Sequence, residues 1–278
     1  MTSQKTVILA WTHKVSNLTT DNVNNFWGIG DLIRGTIQLY QLSKKYNFEL
    51  VVDVQHHPIS SLLKERTHDF SDFVHKQKDN IPFIFPHQVE NLVSTITRPE
   101  STAPLLFITT DYYHDPITED CKDFIKEILT PNDEFQSYMQ EKDKENPYFL
   151  YRILHYRIGD AEMVRGENQT DVDKYMKNII KKDLVQTENV IFLSDSNELK
   201  QTVKRQGRHF TFNTQIGHTG YHDDAEKIRD TMFEFFTMIK ATKIKSYTVN
   251  NWPSGFVKIA KDIYGVSTEC ITCINEKS

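Results

Sequence analysis

The run FLYRILHYRIGDAE (149–162) is apolar until it reaches His155, Arg157 and Asp160, three groups that can hold an anion or move a proton. If it is a strand, alternation puts His155 and Arg157 on one face at its carboxyl end, and Gly159 permits a sharp exit. A guanidinium there can grip a phosphate with two parallel N–H bonds. The same residues also fit a structural ion pair between Arg157 and Asp160, with His155 packed behind. A second stretch, NNWPSGFVKIAKDIYG (250–265), ends a strand at Asn250, breaks at Pro253 and starts a helix at Ser254. The hydroxyl of Ser254 and the N–H groups of Ser254, Gly255 and Phe256 would form an anion cradle at the positive end of the helix dipole. An ordinary serine N-cap reads equally from those residues. The third stretch, FWGIGDLIRG (26–35), places Gly28, Gly30 and Gly35 with Asp31 and Arg34 at the start of a long helix. Glycines here would let a phosphate or sugar approach the backbone, or simply make a tight turn. The spacing is neither G-x-G-x-x-G nor a P-loop.

Other polar clusters read more plainly. In FLSDSNELK (192–200), Asp195 followed by Glu198 fits a capping box, and Asp223 with Glu226 repeats the pattern. The stretches QHHPIS (55–60) and DYYHD (111–115) follow strands and could line a cleft as acceptor contacts, but they lack metal-ligand spacing. No metal site is expected. Cys121, Cys270 and Cys273 are too few for a disulfide framework, and the C-x-x-C pair sits in an alternating apolar tail, where strand cysteines are the default.

These groups need elements to hold them, and short β-rich runs alternate with helical periods almost throughout. Strands are expected at 6–11, 48–54, 82–85, 104–110, 148–157, 189–194, 209–213, 243–250 and 269–274. Helices are expected at 29–46, 58–66, 87–97, 117–129, 171–184, 196–206, 223–241 and 254–265. Ile29, Leu32, Ile33, Ile37 and Tyr40 mark one face of the first helix, and Ile228, Met232, Phe235, Phe236 and Ile239 hold the same period in the seventh. Strands alternating with helices imply parallel sheets. The charged segment 132–147 splits the alternation in two. The expected fold class is therefore α/β, with two Rossmann-like doubly wound domains facing a cleft: 1–130, a linker or inter-domain helix at 131–147, and 148–278.

A chain of 278 residues that is 38% hydrophobic and 12% aromatic can bury a substantial core. Its net charge of −5 argues against a general nucleic-acid binder, though not against a local basic pocket. The apolar run near the N-terminus is too short for a signal peptide, and no stretch approaches the ~18 residues of a membrane span. A cytoplasmic location, bacterial, viral or host, is expected, and the sequons at Asn17 and Asn168 carry little weight.

In order, the stretches resemble a known family. WGIGDLIRGTIQLYQLSKKYNFELVVD is similar to the N-terminal glycine-rich turn and helix of the GT-B fold fucosyltransferase-like glycosyltransferases. HYRIGD resembles the His-x-Arg-x-Gly-Asp motif of α1,2-, α1,6- and protein O-fucosyltransferases. VIFLSDS resembles their Phe-x-Ser/Thr-Asp-Asp motif, and IKSYTVNNWPSGFVKIAKDIYG their C-terminal strand–turn–helix. The order matches over about residues 5 to 265. The resemblance implies an inverting transferase that uses a GDP-sugar, most of all GDP-fucose, as co-substrate, with a glycan or other hydroxyl acceptor and no metal. Arg157 would hold the β-phosphate and His155 the nucleotide or its ribose. Ser254, Gly255 and Phe256 would bind the pyrophosphate. Asp195 belongs to the second motif, and Asp230 would read the guanine. Gly28, Gly30 and Asp31 would approach the sugar from an acceptor-side N-terminal domain. Asp31, Asp160 and Glu162 are the candidates for the base. Two departures stand out: Ser196 replaces the second Asp of the second motif, and Ala161, Glu162 and Met163 follow the first where further Arg or Tyr residues are common. Another nucleotide sugar, or a non-catalytic nucleotide- or glycan-binding relative, remains an alternative.

Overall fold

Val7, Ile8, Leu9 and Ala10 are all almost completely buried. A strand apolar on both faces belongs in the middle of a parallel sheet, and TVILA forms that strand, β1 (Thr6–Ala10). The computed structural model describes residues 5–12, 27–96, 104–110, 116–158, 189–207, 209–217, 224–248 and 253–272. Two compact units make up the chain: Met1–Gln136 with His218–Ile228, and Ser137–Gly217 with Arg229–Ser278.

In the first unit, β1 lies between β2 (Glu49–Asp53) and β3 (Leu105–Phe107), both parallel to it. Helix α1 (Ile29–Tyr46) makes the crossover from β1 to β2 and buries the face expected from its period. It ends at Asn47, which adopts the left-handed conformation (φ 54°) that closes a helix. Gly35 brings α1 against the sheet: a Cβ at this position would stand 2.4 Å from the carbonyl oxygen of Thr109. Trp11, just past β1, donates its Nε1–H to Thr36 Oγ1 of α1 at 3.2 Å. Helix α2 (Ser71–Gln77) follows β2, and α3 (Pro86–Ile96) precedes β3. Helix α4 (Glu119–Ile128) packs on α1, where Tyr40 donates its hydroxyl to Asp120 at 2.7 Å. Helix α5 (Asp133–Asp143) occupies most of the charged segment, and from Ser137 onward it belongs to the second unit.

The second unit holds four parallel strands in the order β5-β4-β6-β7. Strand β4 (Arg152–Arg157) pairs with β5 (Val190–Ser194) on one side and with β6 (Lys243–Thr248) on the other, and β7 (Ser267–Thr272) continues from β6. Helices α6 (Asn197–Gln206), α7 (Ala225–Ile239) and α8 (Gly255–Asp262) complete the described elements. Leu154, Tyr156, Val190, Phe192 and Tyr247 form one face of the sheet core, on which Leu199 and Val203 of α6 pack. Beside it, the side chains of Lys200, Glu234 and Thr214 are buried together. The Lys200 ammonium is paired with the Glu234 carboxylate and also donates to the Thr214 carbonyl oxygen at 3.0 Å.

The α/β class with parallel sheets is as expected, while several elements are shorter. The helix expected at 58–66 is a 3-10 turn, Pro58–Leu62: Leu63 is extended and bridges to Pro131, which stops propagation. The strand expected at 82–85 reduces to one bridge, Phe83 to Ile108, because Pro82 and Pro86 bracket it. Likewise 209–213 pairs only through Phe210, bridged to Ile191, and the strand expected from 148 begins at Arg152. The helix expected at 171–184 lies outside the described residues. Among the described residues, no helix is long and apolar enough to cross a membrane.

Candidate functional site

Strand register fixes the polar cluster of the second unit. His155 and Arg157 share a face of β4, and across the sheet they stand beside Ser246 and Thr248 of β6. At the carboxyl end of the strand, Arg157 Nη1 donates to the carbonyl oxygen of Pro253 at 3.3 Å. The next residue, Ser254, is the N-cap of α8, so the guanidinium sits at the positive end of that helix. Ser254 is only 8% exposed and makes no side-chain capping bond. The N–H groups of the first turn have no partner within the helix by geometry, and the serine hydroxyl does not take their place. Phe256 packs its ring on Phe235 of α7, centroids 5.0 Å apart, so its side chain is taken up by packing and only its main-chain N–H lies at the helix terminus. Gly255 opens the helix and adds no side chain to the approach.

His155 lies beneath this arrangement. It is 5% exposed, and its Nδ1 is 2.9 Å from Ser246 Oγ. Burial, and secondarily the charge of Arg157, push its pKa down to about 3, so the imidazole is neutral. The structure gives it a supporting position under Arg157 rather than one on the surface.

Asp195 departs from the expected cap. Helix α6 is capped by the next residue, Ser196, whose side chain accepts from Leu199 N–H at 3.2 Å. The Asp195 carboxylate instead accepts the N–H of Ile158 at 2.8 Å. A cap bond satisfies its own helix, whereas this one ties the end of β5 to the residue that follows Arg157. Asp230 is also engaged: one carboxylate oxygen receives the Tyr138 hydroxyl and the other accepts Gln215 N–H at 2.7 Å. Arg229 lies over the Tyr138 ring, 4.3 Å from its centroid. Asp230 thus anchors residues 213–217, which Asn197 also grips, donating to Ile216 O at 3.0 Å and accepting Ile216 N–H at 2.7 Å. At the second expected cap, Asp223 lies outside the described residues, and Asp224 accepts the Glu226 and Lys227 N–H groups. Gly159, Asp160 and Glu162 also lie outside the described residues.

The first unit carries the glycine-rich turn. Gly28 is the N-cap of α1, in an extended conformation and with no side chain to cap. Gly30 and Asp31 fall in the first turn, where Asp31 is ion-paired with Arg34. A Cβ on Gly28 would meet the Asp31 carboxylate at 3.1 Å. The residue that sequence reasoning undervalued is His57. Its Nδ1 accepts Ile59 N–H at 3.4 Å, so Nε2 carries the proton and donates to Trp27 O at 3.2 Å, holding the entry to the turn. Burial drives its pKa to about 4, against a smaller opposing effect of that bond. The signal available in the sequence was His57 before Pro58, the signature of a capped short turn. His68 is held by Asp53 at the end of β2, Nε2 to Oδ2 2.9 Å, and its Nδ1 accepts Phe70 N–H at 3.2 Å. DYYHD (111–115) lies outside the described residues.

No protein-family model and no curated protein matches this chain. Solved structures do. NodZ α1,6-fucosyltransferase soaked with GDP-fucose aligns with a TM-score of 0.55 at 13% identity, over 94% of this chain and 93% of that one. Fucosyltransferase NodZ from Bradyrhizobium aligns with a TM-score of 0.56 at 13% identity, over 98% and 96%. A mutant of Arabidopsis thaliana FUT1 in complex with GDP aligns with a TM-score of 0.59 at 12% identity, over 99% of this chain and 71% of that one. The chain shares the fold of these solved fucosyltransferase structures. Within this fold, one unit gathers His155, Arg157, Asp195, Ser254, Gly255 and Phe256 at the ends of β4, β5 and β6, and the other gathers Gly28, Gly30 and Asp31.

Proposed function

We propose that the chain is an inverting glycosyltransferase that moves a sugar, fucose in the first place, from a GDP-sugar to a hydroxyl of a glycan. The observation that carries this reading is the bond from Arg157 to Pro253, which sets a guanidinium at the uncapped N-terminus of α8. A diphosphate is the ligand that such a pair suits: the guanidinium takes two oxygens and the helix N–H groups another. In the reaction the acceptor oxygen forms a bond to the anomeric carbon while the bond from that carbon to the β-phosphate oxygen breaks. The electron pair leaves with GDP, and the acceptor proton passes to a carboxylate, with Asp31 and Asp160 as candidates. Arg157 and α8 stabilise the charge that develops on the leaving group, and that is where fixed charge accelerates the step. On this reading no divalent cation is needed, and transfer persists in EDTA.

Support for GDP and fucose comes from the fold shared with the NodZ and FUT1 structures, which hold GDP-fucose or GDP. The test is a thermal shift with GDP, UDP and ADP, followed by mass-spectrometric assay of GDP-fucose turnover in EDTA. Selective stabilisation by GDP and release of GDP are expected. Equal response to all three nucleotides, or none, would sink the donor assignment.

A further inference from the structure

The PFIFP segment (82–86) puts aromatic rings in series where a core would not need them. Trp27 and Phe83 stack at 4.8 Å and 19°, Phe83 meets Phe85 edge-on at 5.3 Å and 89°, and Phe85 stacks on His87 at 5.8 Å and 26°. Phe85 is 46% exposed, yet it is not loosely held. Ile84 N–H donates to Ile108 O at 2.8 Å, Ile108 N–H donates to Pro82 O at 2.9 Å, and Gln38 of α1 donates to Pro86 O at 3.0 Å. Pro86 also restricts the backbone of Phe85 to extended conformations. Rings in mutual contact at the surface form a contiguous apolar face rather than one scattered side chain, and such faces mark ligand grooves.

Its place in the fold points to a ligand. Phe83 pairs with Ile108 just beyond the carboxyl end of β3, and Trp27 precedes Gly28 in the connection that leaves the carboxyl end of β1. That is the edge of an open α/β sheet at which ligands bind. The more exposed Phe149, at 96%, lies before β4 and so at the opposite, amino end of its sheet. The ring series is continuous with the glycine-rich turn, as Trp27 is the residue before it.

We propose that Phe85, backed by Phe83 and Trp27, is a stacking platform for a pyranose ring of the acceptor glycan. This rests on the glycosyltransferase reading above. A β-gluco-configured ring is the ligand class that fits, because its equatorial hydroxyls leave axial C–H bonds on both faces, and these meet the negative face of an aromatic ring. His87, stacked on Phe85 with a wide offset, extends the platform, and it and exposed Gln88 supply polar atoms for the ring's hydroxyls.

The test uses the full chain with cellotetraose and tetra-N-acetylchitotetraose as probes, and an α-1,2-mannotetraose as the control with axial hydroxyls. Saturation-transfer NMR should show transfer to the axial ring protons of at least one β-linked probe and little to the control. Phe85→Ala should weaken that binding about five- to tenfold, the range expected for one aromatic contact. Phe85→Trp should retain it, and the thermal shift with GDP should be unchanged in both variants. Phe85→Leu, which keeps the apolar contact with the fold but removes the ring, should behave like Phe85→Ala. No transfer from any β-linked probe, or equal affinity in wild type, Phe85→Ala and Phe85→Leu, overturns the platform. Failure of GDP to stabilise the wild type would instead overturn the donor reading, and the saccharide result would stand by itself.

Discussion

Arg157 and Pro253, 96 residues apart, meet through a guanidinium–carbonyl hydrogen bond of 3.3 Å. The contact exists because β4 and β6 are parallel neighbours, with Arg157 opposite Thr248, so both strands deliver their carboxyl ends to one edge. A side chain and a helix terminus, neither specific alone, become one electropositive feature.

Arg157→Ala should fold as the wild type does and lose transfer by about two to three orders of magnitude, as when a fixed charge-stabilising donor is removed. Arg157→Lys keeps the charge but loses the planar fork, and should recover only part of the rate. Steady-state kcat/KM for transfer, with circular dichroism as the folding control, checks both. Wild-type rates in Arg157→Ala would remove it from the mechanism.

Asp195→Ala leaves the N–H of buried Ile158 without its carboxylate acceptor. The expected loss is about 1–3 kcal/mol by urea denaturation. Asp195→Asn keeps an acceptor oxygen and should lose less than half as much. Were Asp195 a helix cap, Ser196→Ala would be silent; with Ser196 as the cap, it should cost about 1 kcal/mol.

Neutral burial of His57 and His155 makes stability depend on pH. Both folded pKa values, about 4 and about 3, lie below the ordinary value of 6.5, so the unfolded chain binds more protons between them. Stability therefore falls as pH drops from 6.5 toward 4, with each histidine contributing a slope of about 1.4 kcal/mol per pH unit. Glu234, whose pKa is raised chiefly by burial, acts in the opposite sense above pH 4.5. Comparison with a variant isolates the term. His57→Gln, whose amide can still donate to Trp27 O, should show a shallower pH slope by about that amount in denaturation measured from pH 6.5 to 4.5.

Lys200→Met strands the Glu234 carboxylate in the interior and should cost about 3–5 kcal/mol. The double change Lys200→Met with Glu234→Leu should recover most of that loss, since two apolar side chains need no partner. Purely additive losses in the denaturation cycle would show that the pair is not coupled.

Much of the fold was legible because periodicity is local. The 3.6-residue period of α1 and the apolar run of β1 each specify an element without reference to the rest of the chain. The cap of α6 was not, because Asp195 and Ser196 are adjacent and both are good caps. The choice was made by a long-range partner, Ile158 N–H, which no local pattern reveals. The bonds of Asp230 are of the same kind, since Tyr138 and Gln215 reach it from positions that no local pattern connects to it. The 58–66 segment failed differently, since its apolar spacing suits a helix while Leu63 is recruited to pair with Pro131.

Gly35 has a consequence for the first turn of α1. With the Thr109 carbonyl occupying the volume of its missing methyl, α1 is keyed against the sheet and cannot turn about its own axis. The azimuth of the helix sets the direction in which Asp31 and Arg34 leave it. A groove cut in the middle of the shaft thus aims the charged pair at its tip, and the aim can be changed only by recutting the groove.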